Sequence, residues 1–219
     1  MAHDGQDLGD GNTIILSDLL SLAGAAIAPV EAVLETAKNR LRTLVSTNGR
    51  VSASLVEQHQ TATHGLAWLA TYAQALRQMH KWADALNSDG KFGEVEQLIL
   101  QITFGEYLWQ IYGGIQMNQG EVLRLQDMGL DQDDMRMLME PAVQTLTQHG
   151  NTQAARVRLV ELMQEQSANI TVGATGLDDE LEMIREQFRR YAVEKVEPFA
   201  HEWHLKDELI PMEIIEELA

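Results

Sequence analysis

Residues 177–219 read LDDELEMIREQFRRYAVEKVEPFAHEWHLKDELIPMEIIEELA. Leu181, Ile184, Phe188, Tyr191 or Ala192, and Val196 recur at three- and four-residue steps, which places them on one face of a helix expected from about Asp178 to Glu197. Asp178, Asp179 and Glu180 fill its first turn, where unpaired amides and the helix dipole favour carboxylates. Pro198 has no amide hydrogen and crowds the preceding turn, so the helix is expected to kink or stop there. Phe199, Ala200 and Trp203 carry the apolar face onward, and Pro211 opens a helix from Met212 to Ala219. Ile214, Ile215 and Leu218 are left in mid-pattern at its end, as expected where a fold continues beyond the sequence.

Outward from this tail, the chain is helical in period almost throughout. Residues 1–12 are rich in Gly and Asp and read as a disordered leader; Asp4 to Gly11 lacks the closing Glu of a calcium loop, since Ile15 stands at that place. Ser17 and Asp18 are expected to cap a helix through Leu19, Leu20, Leu22, Ala23 and Ile27, with Pro29 restarting or kinking the run. Val30, Val33, Leu34, Ala37, Leu41 and Leu44 form the next stripe, ended by Asn48-Gly49. A third helix runs from Ser52 or Ser54 to about Leu86, broken by Asn87-Ser88-Asp89-Gly90, and a fourth from about Glu94 to Met128. These two read as an antiparallel hairpin of helices about 50 Å long at 1.5 Å per residue.

The fourth helix holds Gly105, Gly113, Gly114 and Gly120, each costing about 0.5–1 kcal/mol relative to alanine, so close approach of another helix backbone is expected. Gly129 stops it. Asp131, Asp133 and Asp134 open a fifth helix interrupted at Pro141, and Thr152 caps a sixth to about Gln166. The pattern predicts an all-α fold: an up-and-down bundle over 13–166, a linker over 167–176 (SANITVGATG, with Ile170-Thr171-Val172 the sole strand-like run), and a further helical unit over 177–219.

Composition excludes several functions. The formal net charge is -17, from 16 basic and 33 acidic residues, which repels phosphate backbones and anionic membranes. No apolar run reads as long enough to span a bilayer, and Met1 to Gly5 lacks the pattern of a secretory signal. There is no cysteine, hence no disulfide, thiolate nucleophile or thiolate metal site. A cytoplasmic protein is expected.

None of the seven histidines follows a glutamate by three residues, as a bundle di-iron centre requires. His59 and His64 lie on different helix faces, and His201 with His204 lacks a third ligand. The acidic run Asp131 to Asp134 reads as a cap, and Val172-Gly173-Ala174-Thr175-Gly176 lacks the Lys-Ser/Thr of a phosphate loop and reads as a flexible joint. Met128, Met135, Met137 and Met139, like Trp68, Trp82, Trp109 and Trp203, read as packing residues. No nucleophile, base and oxyanion set assembles, so no catalytic, cofactor-binding or metal-binding residue is assigned within this sequence.

The order of a long acidic-capped helix, Glu197-Pro198-Phe199-Ala200-His201-Glu202-Trp203, and Ile210-Pro211 before Ile214-Ile215-Glu216-Glu217-Leu218-Ala219 resembles the start of the acyl-CoA dehydrogenase superfamily. His204 departs from it, standing where the family usually carries an acidic residue. The resemblance implies the first part of an N-terminal helical domain, with a β-domain and a C-terminal helical bundle to follow. It implies a flavoenzyme that binds FAD, removes the α-proton of an acyl-CoA with a glutamate base and passes the β-hydride to the flavin, with base and flavin contacts in regions absent from this chain. The implied partners are an acyl-CoA, an electron-transfer flavoprotein and further copies of the chain.

The helical block before Asp178 is similar to the extension of those members that desaturate a short branched dicarboxylic acyl-CoA. Phe104-Gly105-Glu106-Tyr107-Leu108-Trp109 with Gly113-Gly114 is loosely similar to the family's C-terminal helices, so the extension is expected to mimic that bundle. The alternative is a non-enzymatic acidic helical interaction protein.

Overall fold

A computed structural model describes residues 14–166 and 172–218. The proposed leader and residues 167–171, with most of the strand-like run, lie outside the described residues. Contacts divide the chain at the Ala174–Thr175 peptide into two compact units.

In the first unit, α1 (Leu19–Leu44) precedes a short hairpin, β1 (Ser46–Thr47) and β2 (Arg50–Val51). Then come α2 (Ala53–Gln58), α3 (Gln60–Ser88) and α4 (Glu94–Gly113). A second hairpin follows, β3 (Ile115–Asn118) with β4 (Glu121–Leu123), and then α5 (Gln132–Met135), α6 (Pro141–His149) and α7 (Gln153–Glu165). Tight helical turns at Leu125–Met128 and Arg136–Met139 link β4 to α5 and α5 to α6.

α1 packs on α3, α3 on α4, α4 on α6 and α6 on α1, which closes a four-helix ring around one core. Leu41, Leu69, Leu76, Phe104, Leu108 and Ile111 fill it. α7 lies on the far side of α4, where Val95, Leu98, Ala155 and Leu162 form a second small core. α4 is therefore covered on two sides, which is why its sequence is apolar all round instead of striped.

The expected close approach occurs at Gly105. A Cβ there would stand 2.4 Å from the Asn151 amide nitrogen, and one at Gly150 would stand 2.9 Å from the Gly105 Cα. Gln101, fully buried in the same helix, accepts from the Leu16 amide at 2.7 Å and donates to the Ile14 and Gly150 carbonyls at 3.0 and 3.2 Å. One side chain thus docks both the entry to α1 and the α6–α7 turn, and leaves none of its own polar atoms unpaired.

Several local expectations are corrected. α1 runs unbroken through Pro29, whose missing hydrogen bond falls at the carbonyl of the exposed residue Ala25. α1 is also long and apolar enough to cross a bilayer by length and composition, contrary to the expectation. Its Leu19, Ala23, Ala26, Val30, Val33, Ala37 and Leu41 enter the bundle core. Asp18, at its N-terminus, caps no amide with its side chain.

Asn48-Gly49 does not stop α1, which ends at Leu44; both residues have positive φ (53° and 76°) and turn the β1–β2 hairpin, as an Asn-Gly type I′ turn does. The third helix breaks at His59 into α2 and α3. The fourth ends at Gly113, fifteen residues early, because Gly114 adopts φ 139° with Val122 pressed against it, and the chain turns into β3–β4. Leu123 of that hairpin occupies the space a Cβ at Gly65 would need, so the hairpin plugs the bundle through a notch in α3.

In the second unit, α8 (Asp179–Tyr191) continues through a wide π-turn, Ala192–Val196, into α9 (Glu197–Leu205), and α10 (Met212–Leu218) follows Pro211. Pro198 neither stops nor sharply ends the helix. In an α-helix its ring would meet the carbonyl four residues back, and the wider turn gives it room.

Candidate interaction surfaces

Asp178 caps α8 by accepting from the Leu181 amide at 2.9 Å, as the acidic start of the tail foretells. The helices of this unit are tied by polar links: the Tyr191 hydroxyl donates to the Ile214 carbonyl at 3.3 Å, and Lys195 pairs with Glu217 at 3.6 Å. Phe199 and Trp203 stack with ring centroids 5.9 Å apart. The apolar residues remain open, with Phe188 59% and Phe199 49% exposed. Leu181, Ile184, Ile215 and Leu218 are exposed beside them, and no described residue from Thr175 to Leu218 is buried. Each aliphatic side chain left open forgoes about 1.5–3 kcal/mol available on full burial.

A polar and aromatic relay crosses the bundle in the segment that the sequence marks as Phe104 to Trp109. The Tyr72 hydroxyl donates to Gln110 Oε1 at 2.6 Å, and Gln110 Nε2 donates to Glu106 Oε1 at 2.6 Å. Asn151 Nδ2 donates to Glu106 Oε2 at 2.5 Å and Arg156 to Asn151 Oδ1 at 2.9 Å. Tyr72 stacks on Tyr107 with centroids 4.4 Å apart, and Trp68 meets Tyr72 edge-on. Burial, then the neighbouring Tyr107 and Glu106, push the Tyr72 phenol above its ordinary range. Every member is paired within the relay, so it reads as a brace between α3, α4 and the start of α7. Beyond its end Trp109, 57% exposed, lies with its ring parallel to that of Tyr112, centroids 6.2 Å apart. Trp109 is therefore a surface residue where the sequence suggested a packing anchor.

The other weighed residues stay apart. His64 accepts from Trp68 Nε1 at 3.1 Å, His59 sits at the α2–α3 break, and His201 and His204 are exposed. Asp131 caps α5, accepting from the amides of Asp133 and Asp134 at 2.9 Å. Those bonds and Arg40 hold its carboxyl below the usual range. Of the methionines, Met128 is buried, Met135 and Met137 pack on the core, and Met139 is exposed. An open cleft of about 620 Å³ between the start of α1 and the end of α3 is lined by Asp18, Ser21, His80 and Asp84 among others. Among the described residues no three His, Asp or Glu side chains converge as metal ligands would.

The glycine of Val172-Gly173-Ala174 faces Glu96 and Val95 closely enough that a Cβ would stand 3.0 and 3.2 Å from them, so the loop's inner side is occupied.

No family model matches the sequence. Over 207 residues, 94% of its length, the chain is 56% identical to a (2S)-methylsuccinyl-CoA dehydrogenase from Cereibacter sphaeroides. The chain is thus similar to an acyl-CoA dehydrogenase. The likeness first visible in the tail extends through both units, so the bundle is part of what the two proteins share. The chain spans 37% of that dehydrogenase's length.

The relay, Gln101 and the exposed Trp109 were not legible as such in the sequence. Gln101 offered one signal, an amide amid the apolar run Leu98-Ile99-Leu100-Gln101-Ile102.

Proposed function

We propose that the chain is the N-terminal portion of an FAD-dependent acyl-CoA dehydrogenase that oxidises (2S)-methylsuccinyl-CoA to mesaconyl-CoA, the desaturation step of the ethylmalonyl-CoA pathway. Identity of 56% running through both the bundle and the tail carries the reading. The open face of Leu181, Ile184, Phe188 and Ile215 supports it, because a face of that size is shaped to meet further polypeptide. In this reading FAD, the glutamate base and the acyl-CoA are held by parts of the dehydrogenase outside these residues, and the chain alone is inactive. An electron-transfer flavoprotein takes the electrons, the enzyme is a cytoplasmic homo-oligomer, and neither nucleic acid nor membrane is a partner. The bundle packs against the catalytic core or across a subunit interface.

The test begins with the intact mass and reading-frame length of the native product. A longer, yellow protein that converts methylsuccinyl-CoA, and that changes its sedimentation or melting when residues 1–166 are deleted, is the expected result. A colourless native product ending near Ala219 overturns the reading in favour of an acidic interaction protein. Unchanged sedimentation and melting on deletion remove the packing role of the bundle.

A further inference from the structure

The segment read as a flexible joint is held from both sides. On the bundle side, the Ala174 amide donates to Glu96 Oε1 at 2.7 Å, and Trp82 Nε1 donates to the Ala174 carbonyl at 3.2 Å. Both backbone groups of Ala174 are therefore taken by the bundle. The other oxygen of Glu96 accepts from the Gly93 amide at 3.0 Å, closing the capping box of α4. Glu96 is only 7% exposed, so its carboxylate spends both oxygens on backbone amides from two separate stretches. Gly173 favours the close approach, with φ 81° and a Cβ position only 3.0 Å from Glu96 Oε1.

On the other side of the next peptide bond, the Thr175 hydroxyl bonds to the Glu182 carboxylate of α8 and accepts from the Leu177 amide at 3.3 Å. Arg185 completes that anchor at 2.6 Å from Glu182.

We propose that the hinge between the two units is confined to the Ala174–Thr175 peptide, latched to the bundle by Glu96 and Trp82 and to the tail by Glu182. With the Ala174 amide and carbonyl both held, rotation between the units then passes through φ of Thr175, where a ten-residue linker would have left many soft dihedrals. Glutamate is required at 96 for a chemical reason. Glutamine has one acceptor and one donor at its tip, so one of the two amides it serves would face an N–H.

Amide hydrogen exchange on the 219-residue chain tests this. The Ala174 amide is expected to be protected, and Glu96→Gln to speed exchange of the Ala174 or the Gly93 amide by about tenfold or more, with the Leu100 and Leu108 amides of α4 unchanged. Unprotected exchange of Ala174 in the unaltered chain overturns the proposal, as does protection of both amides that survives Glu96→Gln with α4 intact. If Glu96→Gln loosens α4 itself, Trp82→Phe is read instead, since it removes only the indole donor. Faster exchange at Ala174 then supports the latch, and unchanged exchange overturns it.

Discussion

The bundle and the tail are both amphipathic helices in sequence, yet they solve the burial problem differently. In the bundle, four helices close on one another and Phe104 is fully buried. In the tail, Phe188 and Phe199 stand on an equally regular stripe and stay about half exposed. The tail keeps its shape with polar devices: the Asp178 cap, the Tyr191–Ile214 bond and the Lys195–Glu217 pair. Periodicity alone therefore says that a face is apolar, and only packing says whether the face is spent.

The sharpest way to break this contrast is to remove one phenylalanine from each region. Phe104→Ala is expected to cost about 3–5 kcal/mol in urea unfolding, while Phe188→Ala is expected to cost less than about 0.5 kcal/mol in this chain. Equal losses would mean that the two faces are equally spent. Next in size, Gly105→Ala or Gln101→Leu is expected to cost about 1–3 kcal/mol. The first drives a methyl into the Asn151 backbone, and the second strands the Leu16 amide and the Gly150 carbonyl. Thr152→Ala, which removes the acceptor for the Ala155 amide, is expected to cost about 1 kcal/mol, read from the same curves.

The smallest effects are those of pH, and Glu182 in the tail and Tyr72 in the bundle contribute with opposite sign. The hydroxyl of Thr175, then Arg185, holds the Glu182 carboxyl below the usual range. Its contribution is present above the unfolded value of about 4.3 and lost as pH falls through the lower folded value. Tyr72 in the bundle is raised, so its contribution is present below the unfolded value of about 10 and lost as pH rises through the folded value. Carbon-detected titration of Glu182 and alkaline melts of Tyr72→Phe against the parent chain check the two directions.

Much of the helical order was legible because it rests on local terms. Thr152 and Asp178 do cap their helices, and the period of α1 and α3 marks their buried faces, whereas Gly129, at φ 83°, ends the short Leu125–Met128 turn and not the fourth helix. The hairpins were missed where one residue type serves two purposes. Asn48-Gly49 ends helices and turns strands alike, and Gly113-Gly114 looked like another helix-packing pair until Val122 is seen against Gly114. The second core was invisible because it needs α7 to return onto α4, a tertiary fact. Similarity to a dehydrogenase was readable in the tail for a different reason, since Pro198, Trp203 and Pro211 form a pattern that physics alone does not demand.

The central claim is that the tail's apolar face is open in this chain while the bundle's is closed. Residue-resolved hydrogen exchange of the 219-residue chain measures it directly. The account expects the Phe104 amide to exchange only through global unfolding, and the Phe188 and Phe199 amides to exchange orders of magnitude faster through local opening. Protection of Phe188 and Phe199 equal to that of Phe104 would contradict it.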